Sequence, residues 1–173
     1  ELFSINSGVK TVHSRNTIQG MSNNDYEGSF QFAYQSASSI LFVAPRSGGI
    51  KSFDISDPSN PIEKDSFTQG GLIYDIAISP TNDKVLYAAH SNGLYVYDIS
   101  DPNNIISRGS SGGGTYPEGN DIAFSSDGKY LYMSGNRNGI EIFEIAQDVA
   151  KTYSISAGSS SINEGETLTT TIS

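Results

Sequence analysis

The sequence predicts an all-β protein assembled from a repeated unit of four antiparallel strands, and three observations carry that prediction. Three segments align, Ile50–Pro58, Leu94–Pro102 and Ile140–Ala146, with Asp54, Asp98 and Glu144 recurring 44 and then 46 residues apart. Upstream of each lies a second match (Ile40–Ala44, Val85–Ala89, Tyr130–Ser134), and further upstream a third (Gln31–Tyr34, Asp75–Ser79, Asp121–Ser125). The apolar runs are short, rich in Ile, Val, Tyr and Phe, and bounded by Gly, Asn, Asp and Pro, which is strand patterning. Helical periodicity is nowhere sustained.

Each strand follows from its punctuation. Pro80-Thr81-Asn82-Asp83 and Ser126-Asp127-Gly128 separate the first strand from the second with turn-forming residues. Gly48-Gly49, Asn92-Gly93 and Asn138-Gly139 separate the second from the third, and these pairs tolerate the positive φ angles of tight hairpins. After the third strand, residues 56–60 and 100–104 place Pro58 and Pro102 where a fixed φ favours a turn. A polar fourth strand is then expected at about Ile62–Phe67 and Ile105–Ser110. Charge and polarity on an outer edge discourage pairing with other chains.

Four antiparallel strands in such a period is the size of one β-propeller blade. The expected fold is therefore an all-β propeller fragment of about three and a half four-stranded antiparallel blades. A blade remnant is expected at residues 1–14, with full blades at about 30–67, 74–110 and 120–156. So few blades fall short of the usual ring of about four to eight, so terminal blade faces are expected to lack partners and the chain to self-associate. The repeat continues into further blades and domains of the same chain on this reading.

Charge excludes one class of partner. Nineteen acidic against ten basic residues give a net charge of −9, a field that repels phosphate backbones and anionic lipid surfaces, so no nucleic acid is expected as partner. No apolar run approaches the roughly 18 residues of a membrane span, so no membrane insertion by this segment is expected. The absence of cysteine removes disulfides, thiolate nucleophiles and Cys-ligated metal sites.

Gly93-Leu94-Tyr95-Val96-Tyr97-Asp98-Ile99-Ser100-Asp101-Pro102, followed by Asp121-Ile122-Ala123, resembles the LVIVD-repeat propellers of bacterial surface and secreted proteins. Phe124-Ser125-Ser126-Asp127-Gly128-Lys129-Tyr130-Leu131-Tyr132 is similar to YVTN-type and lactonase-like propellers. In lactonase-like enzymes a basic Arg-His pair tends to follow a proline in the inter-blade loop, whereas here Glu118 and Gly119 follow Pro117. From about Thr152 the composition turns Ser-rich, and Ser161–Thr169 resembles the opening strand of a Calx-β or immunoglobulin-like module. That resemblance implies that 157–173 is a linker and the first strand of a truncated second domain. Together these resemblances imply an extracellular or cell-surface location.

Candidate functional residues cluster at the starts of the inner strands. Tyr74, Asp75, Tyr116, Asn120 and Asp121 could contact a protein or glycan ligand on the loop face. Asp75 and Asp121 could instead accept turn N–H bonds, as repeated residues commonly do. Asp54 with Asp57, and Asp98 with Asp101, could share a calcium ion, although the adjacent prolines favour plain turns. Hence no cofactor is expected, with weak calcium binding left open. The Gly112–Gly114 triplet lacks the Gly-Lys-Ser/Thr of a phosphate loop. His13 and His90 read as surface polar residues, and Tyr87, Tyr95, Tyr97 and Tyr132 as core between blades. No catalytic residue and no metal ligand set is singled out. The functional expectation is a non-catalytic interaction, adhesion or spacer module of an extracellular protein. The alternatives are a lactonase-like or quinoprotein-like propeller enzyme, or a carbohydrate-binding module.

Overall fold

The structure, a computed structural model, describes residues 3–6, 9–12, 30–46, 49–111, 119–135 and 139–146. Every element among them is a strand. A short hairpin, β1 (Phe3–Asn6) and β2 (Val9–Val12), opens the chain. Three larger sheets follow. The first joins β3 (Phe30–Gln35), β4 (Ile40–Pro45), β5 (Ile50–Asp54) and β6 (Ile62–Phe67). The second joins β7 (Ile73–Ile78), β8 (Val85–His90), β9 (Gly93–Asp98) and β10 (Ile106–Ser111). The third holds β11 (Gly119–Phe124), β12 (Tyr130–Gly135) and β13 (Gly139–Glu144). Strand order in each sheet is chain order and all pairing is antiparallel, so each is a meander. The inner strands β3, β7 and β11 lie side by side, and the sheets stack face to face behind them. This is a partial β-propeller.

The turns obey the residues placed in them. Gly49, Gly93 and Gly139 open the third strand of each sheet at φ +88°, +114° and +78°. At Gly49 the need is also steric, because a Cβ would stand 2.0 Å from the Phe67 carbonyl oxygen of β6. The third strands leave their sheets identically: the Ile55, Ile99 and Ile145 N–H groups donate to the carbonyls of Ser39, Lys84 and Lys129.

Two blade junctions make the core. Between the first and second blades, Ala33, Ile40, Phe42, Ala44 and Ile50 meet Ile73, Ile76, Leu86, Ala88, Tyr97 and Ile99. Between the second and third, Tyr87, Ala89 and Leu94 meet Ile122, Leu131 and Met133. Alternation along each strand gives every blade two apolar faces, one for each neighbour. Polar bonds lock the first junction: Gln35 Nε2 donates to the Asp83 carbonyl (2.7 Å), Ser52 Oγ to the Pro102 carbonyl (2.6 Å) and Tyr97 Oη to Gln69 Oε1 (2.9 Å).

Three expectations need correcting. The fourth strand of the second blade is Ile106–Ser111, one residue later than Ile105–Ser110, because Ile105 is buried and gives its N–H to Asp65 Oδ2 of the first blade (2.7 Å). His90 is no surface residue but fully buried at the end of β8. Tyr87 and Tyr97 are core as expected, whereas Tyr132 is 37% exposed. Tyr132 occupies the Tyr87 position one blade later, on a face that no blade covers among the described residues. The fourth strand expected before 156 and the domain expected at 157–173 lie outside the described residues, as does His13.

Candidate loop-face site

The site is built on a repeated irregularity. In β7 the register slips between Ile73 and Asp75, and in β11 between Gly119 and Asp121, so Tyr74 and Asn120 are each an extra residue in an inner strand. A bulge re-aims side chains and leaves backbone groups without a ladder partner. The sequence singled out both bulge residues and both acids that follow them.

Asp75 accepts two backbone amides of the inner strands, which are edge strands of their sheets. Its Oδ1 accepts the Ile76 N–H of its own strand (2.9 Å), and its Oδ2 accepts the Ile122 N–H of the next blade (3.0 Å). One carboxylate therefore splices two inner strands, through strand amides rather than the turn N–H groups that the sequence suggested. Burial pushes its pKa above the ordinary carboxylate value and the neighbouring Asp121 charge adds to the rise, while the two N–H bonds pull against it. Asp121 itself is exposed. Tyr116 lies outside the described residues.

Two side chains that the sequence did not nominate complete the surroundings. Arg46, just past β4, lies over the Tyr74 ring with its guanidinium carbon 5.1 Å from the centroid. Its carbonyl accepts the Ile73 N–H (2.9 Å), which ties the first blade to the bulge. His90 faces Ile73 across the β7–β8 ladder and packs on the Tyr95 ring at 4.5 Å. Its Nδ1 accepts the Asn92 N–H (3.1 Å), while Nε2 is buried beside Gly71 without a well-formed hydrogen bond. Neither residue recurs at its repeat position, so repetition could not flag it.

Burial holds the His90 pKa below its ordinary 6.5, and the backbone of Gly70 opposes this only in part. The sign follows from linkage: below about pH 6.5 the unfolded chain takes up a proton that the folded chain resists, so stability falls with pH. The melting temperature is expected to drop by several degrees from pH 7.5 to 5.5, and His90→Asn, which keeps an acceptor for Asn92, flattens that dependence. An unchanged slope in the variant would place the sensitivity elsewhere.

The acids at the opposite end are bound into their own turns. Asp54 Oδ1 accepts from the Ser56 N–H and hydroxyl (3.0 and 2.7 Å), and Asp98 Oδ1 from those of Ser100 (2.9 and 2.6 Å). Asp57 and Asp101 accept likewise from Ser59 and Asn103. These bonds hold all four carboxyls below the ordinary range, Asp98 farthest because Arg108 adds an ion pair at 2.5 Å. Arg108 and Lys64 are the bulged residues of β10 and β6, and Lys64 reaches Asp54 at 4.0 Å. Two clefts also open at this end. One, of 220 Å³, is lined by Ser79, Thr81 and Asn82; the other, of 410 Å³, by Lys84, Asp98 and Arg108.

The stacked meanders define a propeller repeat protein. The LVIVD repeat matches it twice, at residues 41–69 and 72–111, so the two repeats occupy most of the first and second blades. Comparison with curated protein sequences gives no match. Among solved structures, a proposed 6-phosphogluconolactonase from Bacteroides uniformis is similar at TM-score 0.59 and 21% identity, covering 69% of this chain and 37% of that one. A chain of the humanized Chaetomium thermophilum Polycomb Repressive Complex 2 is similar at TM-score 0.50 and 17% identity, covering 68% and 26%. These likenesses are of fold. The chain spans roughly a quarter to two fifths of the structures it matches.

Proposed function

We propose that this chain is a non-catalytic propeller segment of an extracellular or cell-surface protein, and that its loop face binds a protein or glycan. The observation that carries the reading is the bulge in β7, where Tyr74 stacks under Arg46. Tyr and Arg are the side chains that most often anchor interfaces, and a rigid bulge holds this pair in place. Asp75 supports the same reading, since both its oxygens are engaged by backbone N–H groups of the blades. The Calx-β-like segment at 157–173 would continue a multidomain surface protein, and a weak calcium site would belong to that continuation. The lactonase-like alternative needs a convergent polar cluster, and the fold likeness alone does not supply one.

Binding on a glycan array and turnover of a lactone panel test the two readings together. Glycan binding reduced at least tenfold by Tyr74→Ala or Arg46→Ala, with no lactone turnover, is the expected outcome. Lactone turnover abolished by Asp121→Asn would assign the enzyme reading instead.

A further inference from the structure

The two blade junctions are not filled alike. Gln35, Ser79 and Ser125 hold the same repeat position at the end of an inner strand, facing Ile40, Val85 and Tyr130. At the first junction the buried Gln35 crosses to the next blade: its Nε2 donates to the Asp83 carbonyl (2.7 Å), and its Oε1 accepts from the Ser38 hydroxyl. At the second junction Ser79 is too short to cross. Its oxygen accepts the Thr81 and Asn82 N–H groups of its own turn (3.4 and 3.2 Å) and makes no bond to the third blade among the described residues. Beside it, the position that Phe42 fills in the first blade is taken by Tyr87. The Tyr87 ring is buried and stands edge-on to Phe124 at 5.4 Å, yet its hydroxyl is neither hydrogen-bonded among the described residues nor sealed from solvent. The outcome of both changes is the 220 Å³ cleft, with Ser79, Thr81, Asn82 and Tyr87 on one side and Ile145 and Ala146 of the third blade on the other. It has room for about seven water molecules, and no charged side chain lines it.

From this we infer that the cleft between the second and third blades is a binding site for a neutral, hydroxyl-rich ligand the size of one sugar ring. It lies at the opposite end of the blades from Tyr74 and Arg46 and is independent of the loop face. Burial pushes the Tyr87 pKa above the ordinary phenol value, so its hydroxyl stays protonated and donates. Asn82 Oδ1 accepts the Lys84 N–H (3.1 Å), which leaves the Asn82 amide nitrogen to donate to a ligand oxygen. The Thr81 hydroxyl, 3.3 Å from Ser79 Oγ, keeps capacity for a second bond, and Ile145 offers an apolar wall to the ring's C–H groups. An ionic ligand would lose water here without meeting an opposite charge. An apolar ligand would displace water from the Tyr87 hydroxyl and leave it unpaired.

Amide NMR of the isotope-labelled full chain, titrated to tens of millimolar with the methyl glycosides of glucose, galactose, mannose and N-acetylglucosamine, tests this. At least one glycoside is expected to shift the Thr81, Asn82 and Ala146 amides saturably while Tyr74 and Ile76 stay still. Ser79→Gln puts at the second junction the side chain that the first already holds, so it fills the cleft and abolishes the saturable shifts without lowering the melting temperature. Tyr87→Phe, which repeats Phe42, keeps the fold and weakens binding about tenfold. The uronic acid of the sugar that binds, the same ring carrying a carboxylate, binds more weakly. The inference is overturned if none of the four glycosides moves those three amides, or if binding survives Ser79→Gln. Shifts confined to Tyr74 and its neighbours would overturn it as well, and would support glycan binding on the loop face alone.

Discussion

Asp75→Ala is expected to lower the melting temperature by about 6 to 12 °C, corresponding to about 2–4 kcal/mol in a chain of this size. Removal of the carboxylate takes the acceptor from two N–H groups, Ile76 in its own blade and Ile122 in the next. A buried donor left unpaired costs more than the net worth of the bond it loses. Asp75→Asn keeps one carbonyl acceptor and should lose about half as much. Asp121→Ala is the internal control: its carboxylate is exposed, so the monomer should change by less than about 0.5 kcal/mol. Thermal melts of the three variants at dilute concentration check this, and equal losses from Asp75→Ala and Asp121→Ala would contradict the splice.

The second large effect is expected at Gly49. Gly49→Ala forces a residue with a side chain to φ +88° and drives its Cβ onto the Phe67 carbonyl, so β5 and β6 must part where they begin to pair. The φ penalty alone is about 1–2 kcal/mol, and the clash raises the total to about 3 kcal/mol or more. Gly139→Ala separates the two contributions, because Gly139 shares the positive φ but a Cβ there would meet nothing within 4 Å. Denaturant titration should show Gly139→Ala losing only the φ penalty. Equal losses would mean that the hairpin conformation, not the approach of β6, makes glycine necessary.

Much of this architecture was legible because the repeat reports the same physics three times. Asn-Gly and Gly-Gly pairs placed the hairpins, and polar fourth strands placed the outer edges. The recurring Asp after the bulge was legible as a repeated position, and the N–H-accepting role weighed for it is the one observed for Asp75, although the bulge itself left no trace in composition. His90 misled because hairpin ends are usually solvated; here Gly71 lets the loop close directly over the ring, a long-range fact that local spacing does not encode. Asp65, read as an edge residue, instead takes the Ile105 N–H of the next blade. Its repeat position in the second blade is not acidic, so no periodic signal marked it. Tyr132 shows the complementary limit, since residue type predicts the face a side chain belongs to, whereas burial depends on whether a neighbour stands there.

The central claim is that Asp75 is a joint between blades rather than a ligand for ion or substrate. Amide NMR of the isotope-labelled chain, titrated from pH 7 to 3, tests it most directly. The account predicts that the Ile76 and Ile122 amide resonances move together with one apparent pKa above the ordinary aspartate value of 3.8, and that Asp75→Asn abolishes the shared titration. An Ile122 amide blind to Asp75, or one that shifts on adding millimolar calcium at constant pH, would contradict it.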